Sequence, residues 1–107
     1  MELDHVAITT DDIAKSVDWY SDELGATVIY QDESWAMLKV GAGKIALVRS
    51  EQHPAHVGVR VSEAELQTVC ARLGKESSSH RDGTKGLYIS DPDGNVVELI
   101  YYPVLSV

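Results

Sequence analysis

A strand, a helix and three further strands are written twice in this chain, and that repetition limits the possible folds more than any single residue does. In the first half, Leu3 to Thr9 alternates in character as a strand does. Asp11-Asp12 then opens a helix that places Ile13, Val17, Tyr20 and Leu24 on one face, and Gly25 stands where a helix should stop. Three strand-like runs follow, Ala26 to Tyr30, Ser34 to Val40 and Lys44 to Val48, with Gly41-Ala42-Gly43 as the turn before the last.

The order then recurs. Ala55 to Val61 reads as a strand, and Ser62 is a helix N-cap followed by Glu63 and Glu65, whose charges suit the helix start. Leu66, Val69, Cys70 and Leu73 supply an apolar face and Gly74 the stop. Strands are expected near Glu76 to Ser79, Gly86 to Ser90 and Asn95 to Tyr101, with Asp91-Pro92-Asp93-Gly94 as turn chemistry between the last two. Each half therefore reads βαβββ. His5-Val6-Ala7-Ile8 resembles His56-Val57-Gly58-Val59, and Gly43-Lys44-Ile45 resembles Gly94-Asn95-Val96, both at an offset of 51 residues (56 − 5 and 94 − 43). A length of 107 residues suits one α+β domain, with module 1 over about 1–51 and module 2 over about 54–107.

Alternation along a strand gives the repeat a chemical meaning. His5 shares a face with Leu3, Ala7 and Thr9, and His56 shares one with Gly58 and Arg60; Val6, Ile8, Val57 and Val59 point the other way, toward the helices. Glu98 is a carboxylate inside the apolar run Val96 to Ile100, where burial without a partner is costly. Under the 51-residue offset His5 maps to His56 and Leu47 maps to Glu98 (98 − 51 = 47). A single strand histidine is ordinarily a satisfied or half-exposed residue. Two histidines and a carboxylate at repeat-related positions converge if the modules pair about a local two-fold axis, and they form a ligand set that leaves coordination positions open. The expected metal ligands are His5, His56 and Glu98.

Composition removes several classes of partner. Nine Lys and Arg against seventeen Asp and Glu give a net charge of −8, which repels nucleic acid and anionic membrane surfaces. No apolar run approaches the roughly 20 residues of a membrane span. Cys70 is the single cysteine, so no internal disulfide forms, and Met1-Glu2-Leu3-Asp4 carries no secretory signal; a cytoplasmic protein is expected. Nucleophile elbows, phosphate loops and CxxC pairs are missing, which leaves hydrolase, nucleotide-binding and zinc-ribbon readings unsupported.

The runs Leu3-Asp4-His5-Val6-Ala7-Ile8, Trp19-Tyr20-Ser21-Asp22-Glu23-Leu24-Gly25 and Leu87 to Leu99 together resemble the glyoxalase/bleomycin-resistance/dioxygenase (vicinal oxygen chelate) superfamily over essentially the whole chain. The resemblance implies two βαβββ modules forming a cupped, barrel-like mixed sheet with helices on the outside, around a metal held on the first and last strands of modules. That carries over to His5, His56 and Glu98. Glyoxalases of the family add a Glu or Gln on the last strand of the first module, a place that the repeat assigns to Leu47. The fosfomycin-resistance group uses three protein ligands but also cationic side chains, and the segment after Glu98 has no Lys or Arg. Extradiol dioxygenases hold iron with two histidines and a glutamate, and their signature resembles His80, Leu87-Tyr88, Asp91-Pro92-Asp93-Gly94 and Glu98 here.

Around the ligands, Tyr88 is placed to hydrogen-bond a metal-bound oxygen or shuttle a proton, with cross-strand packing as the plainer reading. His80 is a candidate base, otherwise a solvated loop residue. Arg60 is a candidate for an anionic substrate group and Trp35 for a roof over the cleft. His53, before Pro54, is not expected to be a ligand, and Trp19 and Tyr20 are expected in the core. The expected activity is that of a divalent-metal-dependent enzyme (Fe, Mn, Ni, Co or Zn), acting on a small substrate that chelates through vicinal oxygens, by lyase/isomerase or ring-cleaving dioxygenase chemistry. The alternatives are a bleomycin-resistance-type sequestering protein without catalysis, and an interaction module whose triad is idle. Open sheet edges lead us to expect a homodimer, with clefts that two chains can share.

Overall fold

The computed structural model describes residues 1–80 and 83–103; the loop residues Arg81 and Asp82 and the tail from Val104 to Val107, both touched by the sequence reading, lie outside them. Along the chain run β1 (Glu2–Thr9), α1 (Ile13–Leu24), β2 (Thr27–Gln31), β3 (Trp35–Val40), β4 (Gly43–Val48), β5 (His56–Arg60), α2 (Glu63–Leu73), β6 (Ser78–Ser79), β7 (Lys85–Ser90) and β8 (Val96–Tyr101). The α+β class and the doubled βαβββ order are those expected from the sequence.

Two compact units are present, Asp4–Val57 and Gly58–Val107 together with Met1–Leu3. In the first, the strands lie in the order β2-β3-β4-β1, with β1 parallel to β4 and the other neighbours antiparallel. Helix α1 starts at an Asp12 cap, whose side chain accepts from the Lys15 amide, and ends at Gly25, where φ of 64° needs a residue without Cβ. Its Ile13 and Val17 enter a core with Ala26, Ala36, Leu38 and Leu47, flanked by Ile8, Tyr20, Val40 and Ile45. The opposite sheet face carries Ala7, Ala46, Val48 and Met37.

The second unit repeats the plan as β5-β8-β7-β6, and its neighbours β8, β7 and β6 are antiparallel. Ser62 and Glu65 close a reciprocal capping box at the start of α2. Leu66 and Val69 pack with Val61, Leu87 and Leu99, flanked by Val59, Cys70, Ile89, Val97 and Tyr101.

The expected apolar faces are only partly covered. Val6 and Val57 are 39% and 40% exposed. Helix α1 rests on β2, β3 and β4, and α2 rests on β8, so neither valine lies under the centre of its helix. Leu24 and Leu73, each in the final helical turn, are likewise exposed, as is Trp19, which was expected in the core. Trp19 instead meets Tyr20 edge to face at the helix surface.

Candidate metal centre

The two repeat-related histidines meet within the first unit. His5 on β1 and His56 at the start of β5 are both buried, and their Nε2 atoms lie 3.2 Å apart with the rings edge to face. The other nitrogen of each ring is already engaged. His56 Nδ1 is 2.8 Å from the Pro54 carbonyl, and His5 Nδ1 is 2.7 Å from Asp4 Oδ2. A carbonyl accepts and does not donate, and a carboxylate paired with a lysine ammonium does the same, so each imidazole carries its ring proton on Nδ1. A neutral imidazole that donates from Nδ1 has its lone pair on Nε2, so the neutral forms of both rings offer donor nitrogens on the same side. A shared proton or a shared metal ion joins two such nitrogens, and the spacing suits two imidazoles each roughly 2.0–2.1 Å from one ion. The donor set fits a divalent metal.

Glu98 belongs to the second unit, buried on β8 directly across from Tyr88 on β7. Burial first, then the Glu98 charge and a hydrogen bond to it, pushes the Tyr88 phenol up to about 12. The phenol therefore stays protonated at ordinary pH and donates to the carboxylate. Gly86 shares this neighbourhood: a Cβ there would stand 3.4 Å from Glu98 Oε2 and 3.6 Å from His80 Nε2, so the glycine keeps open the space that both side chains border. His80 itself is exposed. His5, His56 and Glu98 are each buried, the two histidines in the first unit and Glu98 in the second.

The expected counterpart of Glu98 needs correction. Immediately after β1 and β5, the Thr10 amide donates to the Val48 carbonyl and the Val61 amide donates to the Ile100 carbonyl, both at 2.9 Å. These equivalent bonds preserve the offset of 51 on the first strand of each module (61 − 10) but give 52 on the last (100 − 48). A slip of one residue moves a side chain to the other sheet face. Leu47 is thus the partner of Leu99, each buried in the core of its own unit. The residue equivalent to Glu98 is Ala46, which offers only a methyl group.

The remaining sequence candidates have partners of their own within each unit. Arg60 is exposed, with its guanidinium 5.2 Å above the Tyr102 ring. Trp35 is half-buried, opposite Val48 on the face that also carries Met37, Ala46 and Ala7, and stacks on Tyr30 at 4.8 Å between centroids. Tyr30 in turn donates to Asp32, whose carboxylate also takes the Ser34 and Trp35 amides. The sequence reading missed Asp4 and Lys44. Asp4 Oδ1 lies 3.1 Å from Lys44 Nζ while its Oδ2 holds His5, and the position of Asp4 immediately before a candidate ligand was the available signal.

The profile of the Glyoxalase/Bleomycin resistance protein/Dioxygenase superfamily matches residues 2–99. Among characterised proteins, metallothiol transferase FosB of Staphylococcus saprophyticus is 25% identical over 112 aligned positions, which cover 91% of this chain and 74% of that one. Biphenyl-2,3-diol 1,2-dioxygenase 3 of Rhodococcus globerulus is 28% identical, across 91% of this chain and 61% of its own length. The crystal structure of methylmalonyl-CoA epimerase from Mycobacterium tuberculosis superposes with a TM-score of 0.77 at 21% identity, covering 96% of this chain and 89% of that one.

Proposed function

The chain belongs to the glyoxalase/bleomycin resistance protein/dioxygenase superfamily, and from that premise we propose that it is a divalent-metal-dependent enzyme whose ion is held by His5, His56 and Glu98. One observation carries the reading: two buried imidazoles, each tied at Nδ1, bring their Nε2 atoms within 3.2 Å of one another. When bound, the ion supplies Lewis-acid polarisation of two neighbouring oxygens on a small substrate. Ala46 at the place equivalent to Glu98 adds no fourth ligand, which keeps positions open for those oxygens.

The chain's own groups supply the rest. Tyr88 donates to Glu98 and fixes its carboxylate, and Tyr88 and His80 are the groups we assign to proton exchange with a bound substrate. Trp35, stacked on Tyr30, offers an apolar wall, and Arg60 is the group for an anionic substituent. The ion is Fe, Mn, Ni, Co or Zn, since this ligand set serves several first-row metals. Lyase/isomerase and ring-cleaving dioxygenase chemistry both use such a centre. A homodimer in the cytoplasm completes the reading; its support is β2, which ends the strand order of the first unit with Val28, Ile29 and Tyr30 all exposed.

Elemental analysis of protein purified without added metal tests the proposal. About one first-row ion per wild-type chain, lost in Glu98→Ala, is the expected result. Protein that neither retains such an ion nor binds one on titration overturns it. Oxygen uptake with a catechol by the iron form then assigns the dioxygenase branch, and oxygen-independent turnover with Mn, Ni, Co or Zn assigns the other.

A further inference from the structure

We infer that Asp4 is a positioning residue for the metal centre, acting through His5 and held in place by Lys44. The inference rests on the metal reading above and concerns a residue that this reading does not use. The Asp4 side chain is only 4% exposed, and a carboxylate so buried needs its lone pairs matched by donors. One oxygen takes the His5 Nδ1 proton at 2.7 Å, and the other meets the Lys44 ammonium at 3.1 Å. Strand pairing puts this lysine there: His5 on β1 and Lys44 on β4 are register partners.

The pair of histidines is asymmetric in this respect. His56 is oriented by a backbone carbonyl, that of Pro54, which no side-chain substitution removes. His5 is oriented by a side chain, so its tautomer and ring angle depend on Asp4. If the proton moved to Nε2, the lone pair would leave the metal side and His5 would cease to be a ligand. The lysine charge in turn keeps the carboxylate facing inward as an acceptor. Asp4 touches no substrate in this scheme. It sets how well His5 binds.

Three measurements test this. In metal-free wild-type protein, the nitrogen-15 shifts of the imidazoles should show His5 as a single Nδ1–H tautomer; an Nε2–H tautomer overturns the inference without any variant. Zn²⁺ and Co²⁺ titrations of Asp4→Ala should show an affinity about 10–100-fold below wild type. The Co²⁺ absorption bands should change as well, and Asp4→Asn, whose amide oxygen still accepts from Nδ1, should recover part of the loss. A folded Asp4→Ala protein with wild-type affinity and an unchanged Co²⁺ spectrum overturns the proposal. A merely structural role would lower the melting temperature and leave those spectra alone. Failure of the metal reading looks different, because the wild type itself then binds neither ion.

Discussion

His5 and His56 bring their Nε2 atoms to 3.2 Å from one another, and each ring is tied through Nδ1 to an acceptor behind it, His5 to the Asp4 carboxylate and His56 to the Pro54 carbonyl. Replacing either histidine by alanine should therefore abolish stoichiometric binding of Zn²⁺ or Co²⁺, as measured by calorimetric titration. The fold should persist, and the apo protein should gain thermal stability on adding metal in proportion to ln(1 + [L]/Kd). A melting temperature indifferent to added metal in the wild type contradicts this.

Ala46 and Leu47 differ by one position and lie on opposite sheet faces, so they separate two registers of the repeat. Leu47 is fully buried among Ile13, Val17, Ala36 and Leu38. Leu47→Glu should bury an unpaired carboxylate and unfold the protein at room temperature, a change visible by circular dichroism. Ala46→Glu places the carboxylate on the metal side, and the expected result is a folded protein that retains Zn²⁺ more tightly against a chelator. If Ala46→Glu unfolds and Leu47→Glu binds metal better, the register given by the Thr10–Val48 and Val61–Ile100 bonds is wrong.

Tyr88 should matter through its proton. Its phenol is raised to about 12 from 10.0, burial being the first cause and Glu98 the second. A raised acid keeps its proton longer in the folded chain, so the stability it lends is whole below about pH 10 and lost as pH climbs through about 12. Tyr88→Phe should flatten the decline in stability of the metal-free protein over that alkaline window, measured by denaturant titration at successive pH values. The variant should also bind Co²⁺ with altered absorption bands, since Glu98 loses its donor.

The sequence made the fold legible because its punctuation was local. Asp12, Gly25, Ser62 and Gly74 mark helix ends through caps that need only neighbouring residues, and every strand fell within a residue or two of its expected bounds. The histidine pair was legible for a related reason, since a strand's period of two and one shared offset locate both rings. What the sequence hid were relations that depend on pairing. The slip from an offset of 51 to 52 lies between strands, and only hydrogen bonds such as Thr10 to Val48 reveal it. Asp4 was hidden because its role requires Lys44, forty positions away, and the exposure of Val6, Val57 and Trp19 depends on where each helix comes to rest.

Strand β2 ends the strand order of its unit, and its run Val28-Ile29-Tyr30 is exposed, with a register break between Val28 and Tyr30 where the ladder to β3 is interrupted. An apolar edge of this kind ordinarily needs a cover or a charge to remain soluble, and β2 carries neither Lys nor Pro. A second copy is the cover we expect, since it also accounts for a folded chain with a net charge of −8 whose apolar edge stays unguarded. Sedimentation velocity at micromolar concentration should show a wild-type dimer and an Ile29→Lys monomer. Because His5 and His56 meet within one chain, the monomer should still bind about one Zn²⁺ per chain. A monomeric wild type removes the dimer, and a metal-free Ile29→Lys monomer would instead mean that the centre is completed by a second chain.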